Sequence, residues 1–408
     1  MRILLVHNFY RSSAPSGENV VFEAERDLLR GRGHDVVELT RTSDVLEGRP
    51  LLGPLRGALA TPWNPFAVRV VRRAIEREKP DVMHVHNTFP LLSPAIFRAA
   101  RGTATATVAT LHNYRNFCAA AVLTRDGRPC TLCLDRRSSL PAVRYGCYRN
   151  SRVATLPLAV MSALHRRLGT WTRDVDRFVA LSLFQKDFLV RAGLAAERIE
   201  VKPHFLAAPS PMRPWAEREG AVLYLGRLGP EKGVRSLVEA WLKWGDGAPP
   251  LELIGDGPER SALEALVAGR GGKPRIAFTG PMAFADAQAR LARARLLVLP
   301  SVCIEGFPMV IREAYAAGVP VAASRLGPLP ELVRDGVTGV LFEAGNPEDL
   351  RTRVAPAWSD QPRLSEMAQA ARREFDARYT AEIGYRRLME IYEEAIGARR
   401  ERGKANGS

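Results

Sequence analysis

The sequence predicts an α/β protein built as two doubly wound halves, and three observations carry that prediction. The chain has 408 residues, more than a single hydrophobic core usually organises. Short apolar runs suited to buried parallel strands alternate with helical stretches from the start: Arg2–His7, Asp35–Leu39, Val82–His86, Thr105–Leu111, Arg177–Leu181 and Ile199–Lys202. Pro203–Gly220 then holds four prolines and reads as a linker, after which the alternation begins again at Ala221.

Each element of the first half has a local reason. Arg2–His7 leads through a polar loop and Ser16-Gly17-Glu18 into a helix with Val20, Val21, Ala24 and Leu28 on one face, and Gly31 and Gly33 end it. This βαβ opening lacks the G-x-G-x-x-G of dinucleotide enzymes; Gly17 instead stands where a ligand can approach the backbone. Arg41–Phe66, rich in Pro, Gly and Arg, reads as a long loop, and Val68–Lys79 as a basic amphipathic helix. Val82–His86 and Thr105–Leu111 end in His86-Asn87 and His112-Asn113. Ligands of open α/β sheets sit beyond such strand ends, so His84, His86 and Asn87 are candidate acceptor contacts and His112 a candidate catalytic group.

Cys118, Cys130, Cys133 and Cys147 fall within an insertion at 115–150. Four cysteines with a C-x2-C pair suit a closed, structural zinc site; the alternative is four small apolar side chains. Arg152–Trp171 mixes apolar residues with basic ones, as a surface helix or as a face that meets a membrane, and Pro157 argues against one continuous helix.

In the second half Ala221–Leu225 ends in Gly226-Arg227-Leu228-Gly229-Pro230-Glu231-Lys232-Gly233. Arg227 and Lys232 on a glycine-rich strand-to-helix loop can neutralise a diphosphate. Leu251–Ile254, Ile276–Gly280, Leu291–Leu299, Val319–Ala323, Gly339–Phe342 and Asn346–Leu350 continue the alternation, and an amphipathic helix spans Ile383–Ile396 before a polar tail, Glu401–Ser408, expected to be disordered. After Leu299 comes Glu305-Gly306-Phe307-Pro308, with Glu313 one helical turn and more beyond. Pro308 suits the first turn of a helix whose unpaired N–H groups favour an anion, and the flanking carboxylates suit hydroxyl donors.

Glu305-(seven residues)-Glu313 with Gly306-Phe307-Pro308, together with Gly-Arg-Leu…Glu-Lys-Gly at Gly226–Gly233, resembles the signature of family 4 retaining glycosyltransferases (glycosyltransferase group 1) of the GT-B fold. The resemblance implies two Rossmann-like domains facing across a cleft. Residues 1–205 would form the acceptor-side domain, 206–378 the donor domain, and 379–400 a helix returning to the first. It implies a nucleotide-sugar-dependent hexosyltransferase that passes a sugar from a nucleoside diphosphate donor to a hydroxyl of a glycan or lipid-linked acceptor, in cell-surface polysaccharide or glycolipid assembly. Glu305, His112, Arg227 and Lys232 would be catalytic; Gly17, Gly226, Gly280, Gly306, Phe307, Pro308 and Glu313 would bind the donor. The cysteine insertion is similar to that of a polysaccharide and lipopolysaccharide subgroup. Ser16-Gly17-Glu18 lacks the double glycine of many members, and Lys202-Pro203-His204 has His where relatives often carry Asn. No Asp-x-Asp stands beside the donor motifs, so no catalytic cofactor is expected. An epimerase, an inverting transferase of the same fold, or a non-catalytic nucleotide-sugar binder are the alternatives.

The formal net charge is +15. No RNP segment or helix-turn-helix pattern accompanies it, so nucleic acid is not the expected partner; an anionic lipid surface, a diphosphate-linked acceptor or a general Arg-rich bias each account for it. Met1–His7 enters a strand directly and no run of eighteen apolar residues occurs. A cytoplasmic protein, peripheral at the inner face of the plasma membrane, is expected.

Overall fold

The computed structural model describes residues 1–12, 16–47, 52–209, 211–269 and 275–405. They form two compact units: the described residues within 1–123, 131–204 and 384–405 make the first, and those within 124–130 and 205–383 the second.

The first unit contains β1 (Arg2–Phe9), α1 (Gly17–Gly31), β2 (Asp35–Thr42), α2 (Leu52–Ala60), α3 (Pro65–Glu78), β3 (Val82–Asn87) and β4 (Ala106–Thr110). A small hairpin of β5 (Thr124–Arg125) and β6 (Arg128–Pro129), grouped with the second unit, follows in sequence. The first unit continues with α4 (Leu132–Asp135), α5 (Leu140–Tyr145), α6 (Arg152–Arg167), α7 (Thr170–Arg173), β7 (Arg177–Ala180), α8 (Leu183–Arg191) and β8 (Ile199–Val201). The sheet order is β2-β1-β3-β4-β7-β8, all parallel. Inner strands are buried on both faces, which is why they read as continuous apolar runs.

The second unit comprises β9 (Val222–Leu225), α9 (Val234–Trp244), β10 (Leu251–Ile254), α10 (Arg260–Ala268), β11 (Ile276–Gly280), α11 (Phe284–Leu291), β12 (Leu296–Leu299), α12 (Met309–Ala316), β13 (Val321–Ser324), α13 (Leu329–Leu332), β14 (Gly339–Phe342), α14 (Pro347–Ser359) and α15 (Gln361–Arg378). Its sheet, β11-β10-β9-β12-β13-β14, is also parallel. Trp241 fills its core and satisfies its indole N–H on the Pro249 carbonyl at 2.9 Å.

The last helix, α16 (Ala381–Ala405), returns to the first unit from Gly384 onward. Leu388, Ile391, Tyr392 and Ala395, at i, i+3, i+4 and i+7, are fully buried against Ile3, Leu5 and Phe22. The structure corrects four local expectations. The Arg41–Phe66 stretch is not one loop but holds α2, whose buried Gly53 and Gly57 disguised it. Pro157 is accommodated inside a continuous α6. Asn346–Leu350 is not a strand: Asn346 caps α14 by accepting from the Glu348 and Asp349 N–H groups, each at 3.1 Å. The expected polar tail is helical through Ala405.

Each sheet reverses its winding once, between β1 and β3 in the first unit and between β9 and β12 in the second. Loops leaving the carboxyl ends of those strands diverge and leave room for a ligand, so each unit has one favoured binding position.

Candidate active site

The reversal point of the second unit is built from two loops. The loop after β9 carries Gly226–Gly233, and the loop after β12 carries Pro300–Pro308. Gly233, at φ +66°, lies so close to the second loop that a Cβ would stand 2.0 Å from the Pro300 carbonyl oxygen. Only glycine permits that approach.

Across this contact Lys232 Nζ donates to Glu305 Oε1 at 2.7 Å, and Ser301 Oγ donates to the same oxygen at 2.7 Å. Burial opposes ionisation of Glu305, yet the Lys232 ammonium and the hydrogen bonds around it hold the carboxyl below the usual range. Burial likewise opposes charge on Lys232, but Glu305 overrides it and raises the amine. Both groups are therefore charged at neutral pH and partly open to solvent, with side-chain exposures of 27% and 12%. Arg227 is 65% exposed and 3.6 Å from Glu231, a solvent-facing cation on the loop.

Phe307 is buried and Pro308 precedes the first turn of α12, where Ile311 N–H closes onto the Pro308 carbonyl at 3.1 Å. Glu313, inside the helix, accepts from Gln288 Nε2 at 2.9 Å; burial raises its carboxyl, with Arg312 and Gln288 opposing. Gln288 was invisible to motif reading, since its role depends on α11 lying beside α12. Gly226 and Gly280 flank the same sheet end: the Gly226 N–H donates to Ile254 O and the Gly255 N–H to Gly280 O, at 3.0 and 2.9 Å.

The reversal point of the first unit is filled differently. Five buried histidines meet there: His7, His84, His86, His112 and His204. His86 Nδ1 is 3.1 Å from His112 Nε2, and His112 Nδ1 is 3.3 Å from His204 Nε2. Glu25, buried in α1, places one oxygen 3.4 Å from His86 Nε2 and the other on Lys202 Nζ. Which nitrogen donates in each of these contacts follows the tautomer each ring adopts. Burial opposes ionisation of Glu25, but Lys202 and the imidazoles hold it well below the carboxylate range. Burial first, then neighbouring imidazoles, push His112 and His84 well below the usual histidine value, and His7 down to about 3.

The sequence-predicted residues thus fall in distinct settings. His112 has both ring nitrogens engaged by other histidines, and His84 lies between the Tyr392 and Thr110 hydroxyls at 2.8 and 2.7 Å. Asn87 donates to the Asn8 carbonyl at 2.8 Å and accepts from Phe89 N–H at 2.9 Å. His86, Asn87, His112, Asn113 and Arg115 line one small cavity. Gly17 opens α1 behind Ser16, whose hydroxyl accepts from Glu18 N–H. Glu18, which the sequence did not single out, accepts from Asn113 Nδ2 at 2.5 Å, and burial raises its carboxyl.

Glu25, His84 and His86 bring ligand atoms within 4.8 Å of one another, a spacing a metal ion could use. Lys202 already neutralises Glu25 and both His84 nitrogens are bonded to hydroxyls, so the group is better satisfied as an ion-pair network. Cys133 and Cys147 pack beside the small apolar cluster of Ala119, Ala142, Leu158 and Met161, while Cys130 belongs to the stretch grouped with the second unit.

Comparison with known proteins follows the same division. Residues 17–206 match the family model described as Glycosyltransferase Family 4, and residues 211–374 match Glycosyl transferases group 1. An exopolysaccharide phosphotransferase of Streptomyces coelicolor is 31% identical over 231 residues, covering 55% of this chain and 24% of that protein. The chain spans under half the length of the curated relatives it matches first. Among solved structures, the HepE protein of Anabaena in complex with UDP superposes with a TM-score of 0.65 at 20% identity, over 96% of this chain and 100% of that one. A sucrose-phosphate synthase from Thermosynechococcus elongatus gives 0.70 at 19% identity, over 98% and 100%.

Proposed function

As a GT-B-fold chain related to the family 4 and group 1 glycosyltransferases, this protein, we propose, transfers a hexose-like sugar from a nucleoside diphosphate sugar to an acceptor hydroxyl. The observation that carries the reading is the Lys232–Glu305 pair, formed between the two loops at the reversal point of the second unit. A diphosphate placed on the first turn of α12 meets unpaired N–H groups and the Lys232 ammonium, which stabilise charge as the sugar departs. Arg227 adds a screened cation at the rim. Glu305, held ionised, accepts from sugar hydroxyls, and Glu313 from the ribose. Gly17, Gly226, Gly280, Gly306, Phe307 and Pro308 shape the donor cradle, with the cavity beside His86, Asn87 and His112 on the acceptor side.

Retention of configuration is part of the proposal, with the departing phosphate taking the acceptor proton. An inverting transferase or an epimerase would need a positioned base, and His112 is the histidine the motifs offer. Both its nitrogens are engaged within the imidazole chain, which supports the phosphate as base. The acceptor is proposed to be a glycan or a lipid-linked saccharide in polysaccharide or glycolipid assembly, met at the inner face of the membrane. Cys118, Cys130, Cys133 and Cys147 do not gather as zinc ligands: among the described residues, Glu25, His84 and His86 are the group that brings three ligand atoms within 4.8 Å of one another.

The test is thermal shift and slow donor hydrolysis against UDP-, GDP- and ADP-sugars, with wild type beside Lys232→Ala and Glu313→Ala. A stabilising donor whose hydrolysis disappears in both variants is expected. Stabilisation unchanged in both would overturn the site, and NMR of the product anomer decides retention.

A further inference from the structure

The positive charge of this chain is concentrated in two short stretches. Residues 52–75 and 136–173 contain twelve arginines and no Asp, Glu or Lys, so they hold twelve of the fifteen net charges of the whole chain. A general arginine bias would spread that charge; here it is local, and both stretches belong to the first unit.

The same stretches expose apolar side chains against the usual pattern. In α2 the buried positions are Gly53 and Gly57, while Leu52, Leu55 and Leu59 face out, Leu59 at 69% exposure. The helix cannot be rolled to bury its leucines, because a Cβ at Gly53 would stand 2.2 Å from the Leu46 carbonyl oxygen. In α6 the exposed stripe reads Arg152/Val153, Leu156, Val160, Ala163 and Arg167, an apolar line capped by arginines at helical spacing. Val153 is 82% exposed. Phe66 at the start of α3 and Leu140 at the start of α5 are 71% and 76% exposed.

These helices adjoin one another. α6 packs against α5 and α2, His165 near its end is 2.9 Å from the Pro62 carbonyl, and its ring stacks on Trp63. Ten of the seventeen exposed large apolar side chains among the described residues come from α2, α3, α5 and α6.

We propose that this face, formed by α2, the start of α3, α5 and α6, lies on a lipid bilayer carrying anionic headgroups. Charge complementarity selects that occupant. Arginines can extend their heads to phosphates while the leucines and valines enter the acyl boundary. Protein interface cores, by contrast, are depleted of charge. No helix among the described residues is long and apolar enough to cross a membrane, so the contact is interfacial. The proposal rests on the membrane-side reading of the acceptor and gives it a definite surface on the first unit.

The test is flotation of the full chain with vesicles of phosphatidylcholine alone or with about one-third phosphatidylglycerol. Binding should be at least about tenfold tighter to the anionic vesicles and should weaken steeply with salt, since charge near a surface is screened within a Debye length. Leu55→Glu/Leu59→Glu and Leu156→Glu/Val160→Glu should each abolish it while keeping the melting temperature and the donor-induced thermal shift. Equal binding to neutral vesicles, no binding, or binding unchanged in both variants would overturn the proposal. So would a concentration-dependent dimer lost in the same variants, which would give the face to a second copy. Donor-induced stabilisation is read separately, so failure of lipid binding and failure of the transferase reading are distinguishable.

Discussion

The two units share a parallel doubly wound sheet and a single reversal of winding, yet their reversal points hold opposite chemistry. That of the second unit presents a lysine and a glutamate to solvent across two abutting loops. That of the first is closed over by imidazoles, a buried carboxylate and a buried ammonium. All seven histidines of the chain lie in the first unit. The topology therefore selects where function can sit, and the side chains decide whether the place serves as an open charge site or an interior network.

The sharpest way to break this comparison is Lys232→Ala. If the second unit supplies the charge stabilisation, transfer should fall by about 10²–10³, the usual cost of one preorganised donor, with the fold retained. A fall of under threefold in steady-state turnover would remove Lys232 from the reaction.

Glu25→Ala tests the opposite chemistry. It leaves Lys202 buried without its carboxylate and should destabilise the first unit by about 3–5 kcal/mol, read by denaturant unfolding. Hydrogen exchange should open β1, α1 and β3 while β9 to β12 stay protected. Replacing both partners, Glu25→Met with Lys202→Met, should recover most of that loss, because the uncompensated charge is gone.

Acid sharpens the contrast further. His7, His84 and His112 have folded values depressed below about 6.5, the unfolded value. Below that pH the unfolded chain binds protons that the folded unit refuses, so stability is full above about 6.5 and falls as pH drops, toward about 3 for His7. Glu25, also depressed, adds a loss in the same direction at lower pH. The first unit should therefore lose exchange protection at pH 5 relative to pH 7, before the histidine-free second unit does; simultaneous loss in both would refute the assignment.

The smallest effect is expected at Arg227. Solvent screens a side chain that is 65% exposed. Arg227→Ala should raise the donor KM by about three- to tenfold and leave kcat nearly intact.

Much of the proposed donor site is legible in the sequence because its signals are local. Gly226–Gly233 and Glu305–Glu313 each combine strand end, loop and helix start within a dozen residues, so spacing alone places their groups at the carboxyl end of a strand. Two features were hidden in different ways. The inverted α2 reads as a loop, since glycine at buried positions and leucine at exposed ones contradict the usual period; the Leu46 backbone pressed against Gly53 makes sense of it. The histidine network joins residues as far apart as His7 and His204. Glu25, sitting on the inward face of α1, looked like one more charge until α1, β3 and Lys202 met.

From the sequence alone came the alternation of strands and helices, the order of the glycine-rich and Glu-(seven residues)-Glu motifs and the excess of arginine, all consequences of short-range periodicity and composition. Tertiary structure alone decided that Lys232 pairs with Glu305, that five imidazoles share one interior, and that α2 turns its leucines outward. Those outcomes depend on which strands become neighbours and on which helix face a backbone contact forces inward, and short-range patterns contain neither.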